Sequence, residues 1–223
     1  MNTITNSLIF MTTAVSGALI QPSIWPMPKT VTYEEGSYSI SNKISYEVYT
    51  NDNTNTIEIP TLTKAFTRYH DLIFQHTIRT SDVDTTSDTT TTKKKQCSFD
   101  HVSVKVQDAS EVYPQLDTDE SYSIDFNMNL KQCDITITSE TIYGALRGLE
   151  SFSQLIFFDY NSHEYFITPA TVQDTPRYAH RGLLLDTSRH YQSVSNIKHT
   201  LDALSYSKYN VLHWHVVGKF SSS

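Results

Sequence analysis

The sequence predicts an α+β domain followed by a parallel βαβ unit, on three observations. Short runs of alternating apolar and polar residues begin after Trp25, two longer segments repeat apolar residues every three or four positions, and after Pro169 the alternation gives way to the continuous run Leu183-Leu184-Leu185. Alternating strands with long helices suit an antiparallel sheet covered by helices, whereas a continuous apolar strand suits a parallel sheet covered on both faces. With 38% hydrophobic residues in 223, the chain can build a core of this size.

The elements follow in order. Residues 1 to 28 carry no charged side chain, and Leu8 to Ile20 form an apolar stretch ending near Ser16, Gly17 and Ala18. This reads as a signal-peptide core over residues 1–20, without the usual basic residues before it. Thr30 to Tyr33, Ser37 to Ile40 and Ile44 to Tyr49 read as strands, with Glu34-Glu35-Gly36 and Ser41-Asn42 as connections. Pro60 opens a helix expected over 60–78, whose buried stripe is Leu62, Phe66, Tyr69, Leu72, Ile73 and His76. Thr80 to Lys95, rich in Thr and Asp, is too polar to bury and reads as a surface loop.

Phe99 to Val106, Ser121 to Phe126 and Asp134 to Thr138 alternate as three more strands. Ser139 is the expected cap of a second helix, with Glu140 in its first turn and Ile142, Leu146, Leu149, Phe152 and Ile156 on its apolar face. After the Leu183 strand, Ser195 is the expected cap of a third helix with Ile197, Leu201 and Leu204 inward, and Asn210 to Val217 is a second buried strand. Strand, helix and strand form one right-handed βαβ unit.

Composition excludes several functions. Seventeen Lys and Arg against 24 Asp and Glu give a net charge of −7 and leave no basic stripe to track a nucleic-acid backbone. Six glycines supply no phosphate-binding loop, and no segment approaches the roughly 20 apolar residues of a membrane-spanning helix. Cys97 and Cys133 can form one disulfide or remain two buried thiols. No cofactor is implied.

In parallel α/β folds the chemistry gathers at the carboxyl ends of the strands. Those positions are Asp186-Thr187-Ser188-Arg189-His190-Tyr191 and His213-Trp214-His215. The planar donor fork of Arg189 suits vicinal hydroxyls of a sugar or a carboxylate; from spacing alone, pairing with Asp186 to close the strand end is the plainer reading. His213 and His215 share one strand face and can ligate a metal or serve as hydrogen-bonded rim residues. No further ligand cluster follows within eight residues, which argues against a metal hydrolase.

The string from Arg181-Gly182-Leu183-Leu184-Leu185-Asp186-Thr187-Ser188-Arg189-His190-Tyr191 through Lys208-Tyr209-Asn210-Val211-Leu212-His213-Trp214-His215 resembles the start of the catalytic barrel of the lysosomal-type β-N-acetylhexosaminidases, glycoside hydrolase family 20. Trp25-Pro26-Met27-Pro28 and Gly144-Ala145-Leu146-Arg147-Gly148-Leu149-Glu150-Ser151-Phe152-Ser153-Gln154-Leu155 resemble that family's amino-terminal domain. The resemblance implies a zincin-like α+β domain over 24–170, then the start of a (β/α)8 TIM barrel over 176–217. It further implies a glycan or glycoconjugate substrate ending in a β-linked N-acetylhexosamine, a lysosomal or secreted location, and a homo-oligomer as an option for the complete form. Arg189 matches the family's sugar-holding arginine, with Asp186, His190, His213 and His215 as supporting residues.

The family's retaining mechanism lets the substrate's acetamido oxygen attack the anomeric carbon, while a Glu protonates the leaving oxygen and the preceding Asp orients the acetamido group. That pair lies after the family's fourth barrel strand, beyond Ser223, so the chain alone is expected to be inactive. Gly218 stands where the family has an acidic residue, and 218–223 reads as a tail outside the family pattern. Gly-Lys-Phe can be encoded by GGT-AAG-TTT, which contains a usual intron start, so a spliced message restoring Asp at 218 is expected. The alternative is a non-catalytic binding or assembly partner that uses its amino-terminal domain alone.

Overall fold

The computed structural model describes residues 23–50, 56–77, 98–128 and 133–217. The expected signal-peptide core, the Thr-rich loop and the 218–223 tail lie outside the described residues.

The first domain is an eight-stranded sheet with two helices. In chain order its elements are β1 (Thr30–Tyr33), β2 (Tyr38–Tyr49), α1 (Pro60–Ile73), β3 (Phe99–Asp108), β4 (Tyr122–Met128), β5 (Cys133–Thr141), α2 (Ile142–Ser153), β6 (Ile156–Asp159), β7 (Glu164–Ile167) and β8 (Ala170–Asp174). The strands lie in the order β1-β8-β4-β5-β3-β2-β7-β6.

The sheet is mixed, which corrects the expectation of an antiparallel one: β2 and β5 both run parallel to β3, with Val48 beside Val104 and Ile137 on its other side. The physical reason is α1, which carries the chain back across the sheet between β2 and β3, as a parallel connection requires. The alternation remains because one face is covered. Val102, Val104, Val106, Ile124, Ile135 and Ile137 are buried against Leu62, Ala65 and Tyr69 of α1 and Ile142, Ala145, Leu149 and Phe152 of α2, while Ser103, Lys105, Thr136 and Thr138 point to the other side. Each fully buried Leu, Ile or Phe contributes about 1.5–3 kcal/mol.

Several boundaries differ from those read in the sequence. Ser41 and Asn42 lie inside a continuous β2, where the register with β3 shifts between Ile40 and Ser45. Helix α1 stops at Ile73 rather than 78, because Phe74 turns its ring onto Tyr165 and His76 stacks on Phe158, 4.9 and 4.7 Å between centroids. Ser139 and Glu140 belong to β5, and the cap of α2 is Thr141, whose Oγ1 accepts from the amides of Tyr143 and Gly144 at 3.2 and 3.3 Å. Ile156 opens β6 instead of ending the α2 face. Cys133, at the start of β5, is buried and disulfide-bonded; Cys97 lies outside the described residues.

Beyond β8 come β9 (Gly182–Asp186), α3 (Val194–Tyr206) and β10 (Val211–His215). Strands β9 and β10 pair in parallel with Leu184 beside His213 and Asp186 beside His215. Ser193, not Ser195, caps α3, its Oγ accepting from the Asn196 amide at 3.2 Å. No residue of α3 is buried, and Leu183, Leu184, Leu201 and Trp214 are exposed. Strands expected to be covered on both faces are therefore open in this chain.

Candidate functional site

Of the sequence-predicted site residues, Asp186, Arg189 and His215 come together at the carboxyl ends of β9 and β10, His213 lies within β10 beside Leu184, and His190 follows Arg189 in the exposed turn after β9. Parallel pairing sets Asp186 beside His215, and period-two geometry puts His213, His215 and Asp186 on one face. Asp186 closes the strand end: its Oδ1 accepts from the Ser188 hydroxyl at 2.8 Å and from the amides of Ser188 and Arg189 at 3.0 and 3.2 Å. These bonds, the Ser188 hydroxyl foremost, hold its carboxyl below the usual range, and nearby His215 acts in the same direction. The other oxygen, Oδ2, lies 3.2 Å from Arg189 Nε.

The pairing of Arg189 with Asp186 read from the spacing is present. The guanidinium is tethered to Asp186 through Nε, yet the side chain stays 80% exposed and open to a ligand. Thr187 ties the two strand ends together, its amide donating to the His215 carbonyl at 3.0 Å and its Oγ1 accepting from Trp214 Nε1 at 3.0 Å. His190, His213 and His215 are exposed. Among the described residues, no group of three or more His, Cys, Asp or Glu side chains comes together that could hold a metal, and no helix is long and apolar enough to cross a membrane.

A second cluster, which the sequence reading did not assemble, lies where the βαβ unit meets the first domain. Glu120, 8% exposed, is clamped by two arginines: Oε1 accepts from Arg147 Nε and Nη2 at 3.2 and 2.7 Å, and Oε2 accepts from Arg181. Arg147 also donates to the Tyr209 carbonyl at 3.1 Å, and Arg181 to the carbonyls of Lys208 and Tyr178 at 2.8 and 2.7 Å. Beside them the Lys208 ammonium contacts Tyr122, Ser151 and Asp174. Burial pushes the Lys208 ammonium below its ordinary range, against the attraction of Asp174 and Glu150. A cleft of about 560 Å³ opens beside the cluster, lined in part by Met27, Pro176, Tyr178 and Arg181.

The strings singled out in the sequence converge here. Gln154 holds the Trp25 backbone from both sides, Oε1 accepting its amide at 2.6 Å and Nε2 donating to its carbonyl at 2.8 Å. Arg147 and Ser151 come from the second string, Arg181 and Lys208 from the third. Arg147, Arg181 and Lys208 are charged residues within those strings, whereas Trp25-Pro26-Met27-Pro28 carries no charge and is held through its backbone.

All three strings fall within regions matched by known families. A family model described as beta-acetyl hexosaminidase like matches residues 24–155, more than half of the chain, and the catalytic-domain model of glycosyl hydrolase family 20 matches residues 178–221. The chain belongs to glycoside hydrolase family 20. It is 34% identical to beta-hexosaminidase 1 of Arabidopsis thaliana, over 96% of this chain and 40% of that protein. It is 39% identical to beta-hexosaminidase subunit B2 of Dictyostelium discoideum, over 87% and 31%, and 34% identical to the human beta-hexosaminidase subunit beta, over 88% and 34%. The chain thus spans 31–40% of the length of these relatives. Among solved structures, the chitobiase of Flavobacterium johnsoniae superposes with a TM-score of 0.66 at 29% identity, over 88% of this chain and 27% of that one.

Proposed function

We propose that this chain supplies the amino-terminal domain and the first barrel segment of a β-N-acetylhexosaminidase that removes terminal non-reducing N-acetylhexosamine from glycans or glycoconjugates. The observation that carries the reading is the tethered, exposed Arg189 at the end of β9, in a chain matched by both family models. In this reading the first domain is of the zincin-like type, and β9, α3 and β10 begin a (β/α)8 barrel. Arg189 binds hydroxyls of the terminal sugar. Asp186 orients the guanidinium by its Nε contact, and His190, His213 and His215 support the same strand ends.

The family's chemistry is retaining and substrate-assisted: the sugar's acetamido group is the nucleophile, and the Asp-Glu pair that orients it and protonates the leaving oxygen lies outside these 223 residues. General acid catalysis alone is worth roughly 10²–10⁴ in rate, so the chain by itself does not turn over substrate in this reading. The disulfide at Cys133 supports an oxidising compartment, lysosomal or secreted.

The test uses a complete form containing this segment. Arg189→Lys should raise KM for a chromogenic N-acetyl-β-glucosaminide well beyond threefold, because a point charge cannot replace a fork that bonds two hydroxyls. A change below threefold, under about 0.7 kcal/mol, would count against the assigned role.

A further inference from the structure

Lys208 follows α3 with a left-handed backbone, φ +56°, and its side chain leaves the βαβ unit to enter the first domain, where only 7% of the residue is exposed. Its Nζ donates to Tyr122 Oη at 2.7 Å, Ser151 Oγ at 2.8 Å and Asp174 Oδ2 at 3.1 Å, one partner each from β4, α2 and the end of β8. An ammonium has three donors, and all three are met. The cation also lies 4.8 Å from the centroid of the Tyr122 ring. Tyr122 Oη in turn donates to Asp174 at 3.0 Å, so the socket is cross-braced before the lysine enters it.

We propose that Lys208 is a positioning residue, the anchor by which the first domain fixes the βαβ unit and sets where β10 begins. The unit has little else to hold it by apolar burial: α3 buries no residue, and Leu184 and Leu201 are exposed. The remaining contacts radiate from the same place. The Lys208 carbonyl accepts from Arg181, which precedes β9, and the next residue, Tyr209, gives its carbonyl to Arg147 of α2. Val211 then opens β10 in register with Gly182, so the anchor fixes both strands from their amino ends and carries His215 to its place beside Asp186. The left-handed turn belongs to this device, because it reverses the chain from α3 into β10 while the side chain points the other way. Removing one partner of a buried ion pair leaves the other charge uncompensated, which is why single substitutions here should be costly. The inference does not depend on any hydrolytic activity.

The experiment is hydrogen exchange and limited trypsin cleavage on the 223-residue chain and its Lys208→Met, Asp174→Asn, Ser151→Ala and Lys208→Met/Asp174→Asn variants. We expect Lys208→Met to raise exchange over 182–215 and cleavage at Arg177 and Arg189 at least about tenfold, while the core strands β3 and β5 keep their protection. Asp174→Asn should act in the same direction, and the double variant should fall well short of the product of the two single effects, because the partners form one network. Ser151→Ala, which leaves Lys208 two partners, should give a smaller rise in the same segment and serves if the other variants fold poorly. Unchanged protection over 182–215 in Lys208→Met and Ser151→Ala would overturn the proposal. So would equal loss of protection in β3 and β5, which would make Lys208 a core residue of the first domain rather than an anchor between the two.

Discussion

Gly144→Ala sets two known effects against each other, and the structure decides the sign. Helix propensity favours alanine over glycine by up to about 1 kcal/mol. Gly144, however, sits where α2 crosses the start of β4, and a Cβ there would lie 2.3 Å from the Ser121 carbonyl oxygen and 3.0 Å from Ser139 Cβ. Non-bonded heavy atoms settle at roughly 3.5–4.0 Å, so helix and strand would have to part by about 1 Å. Overpacking of this kind costs typically 1–3 kcal/mol, and the obstacle here is backbone, which favours the upper end. The net expectation is a loss of about 2 kcal/mol, or about 1 M in the urea midpoint at a slope of roughly 2 kcal/mol/M. Gly148→Ala is the internal comparison: its new methyl would meet Ile137 Cγ2 at 2.7 Å and Tyr122 Cδ2 at 3.3 Å, a smaller overlap than the 2.3 Å approach to backbone at Gly144, so its loss should be smaller. Urea unfolding followed by far-UV circular dichroism measures both. A midpoint for Gly144→Ala at or above that of the parent chain, or Gly148→Ala as the worse of the two, would refute the close-approach reasoning.

Other expectations rest on buried charge and on the linker. Glu150 is 3% exposed, and burial raises its carboxyl above the ordinary 4.5, outweighing the opposing contacts with Gln154, Tyr69 and Lys208. A raised folded value means stability fully present below about pH 4.5 and lost as pH rises through the folded value. Glu150→Gln should therefore flatten the fall in melting temperature above pH 4.5 and match or exceed the parent at pH 7; a destabilised variant at pH 7 would mean that the ionised carboxylate is needed. Among the described residues, Arg177 and Arg189 are both exposed and flank β9, so trypsin should release the segment after Arg177 early and leave the strands before it protected, whereas protection extending through Arg189 would contradict a separately stable first domain. Asp186→Asn removes the charge that tethers Arg189 Nε, and in a complete form it should raise KM more than it lowers kcat, which steady-state kinetics would show directly.

What could be read in the sequence follows from which forces act locally. Strand and helix segments were legible because Val102, Val104 and Val106 alternate and Leu62 and Tyr69 recur on one turn-spaced face, signals set by the covered side of the sheet. Strand direction was not, since a half-covered strand alternates whether its neighbour is parallel or antiparallel, and only the crossing of α1 decides it. Caps slipped by two residues because Ser139 and Thr141, like Ser193 and Ser195, are equivalent in side-chain chemistry and differ only in where the strand or turn releases the backbone. The β6–β7 hairpin escaped notice because Ile156 extends the α2 periodicity and the turn at His163, φ +57°, has no glycine to mark it.

The site divides in the same way. Asp186, Arg189, His213 and His215 were legible from position alone, as residues at the ends of parallel strands. The Glu120-Arg147-Arg181 clamp and the Lys208 socket were not, because their members are separated by 27 to 86 residues and no local pattern links them. Arg147, Arg181 and Lys208 sit in the motifs that carry the family resemblance while their acidic partners Glu120 and Asp174 lie outside them, so the basic half of the joint between the two sheets belongs to those motifs.

The most direct test of the functional account is hydrolysis of a chromogenic N-acetyl-β-glucosaminide by the purified 223-residue chain and by a complete form containing it, at equal concentration. We expect turnover by the complete form and none by the chain alone, since in the proposed reading the groups that orient the acetamido and protonate the leaving oxygen are supplied by the rest of the complete form. Turnover by the 223 residues that disappears on substitution of Asp186 would contradict the account, as would a complete form that binds glycan through its first domain and hydrolyses nothing.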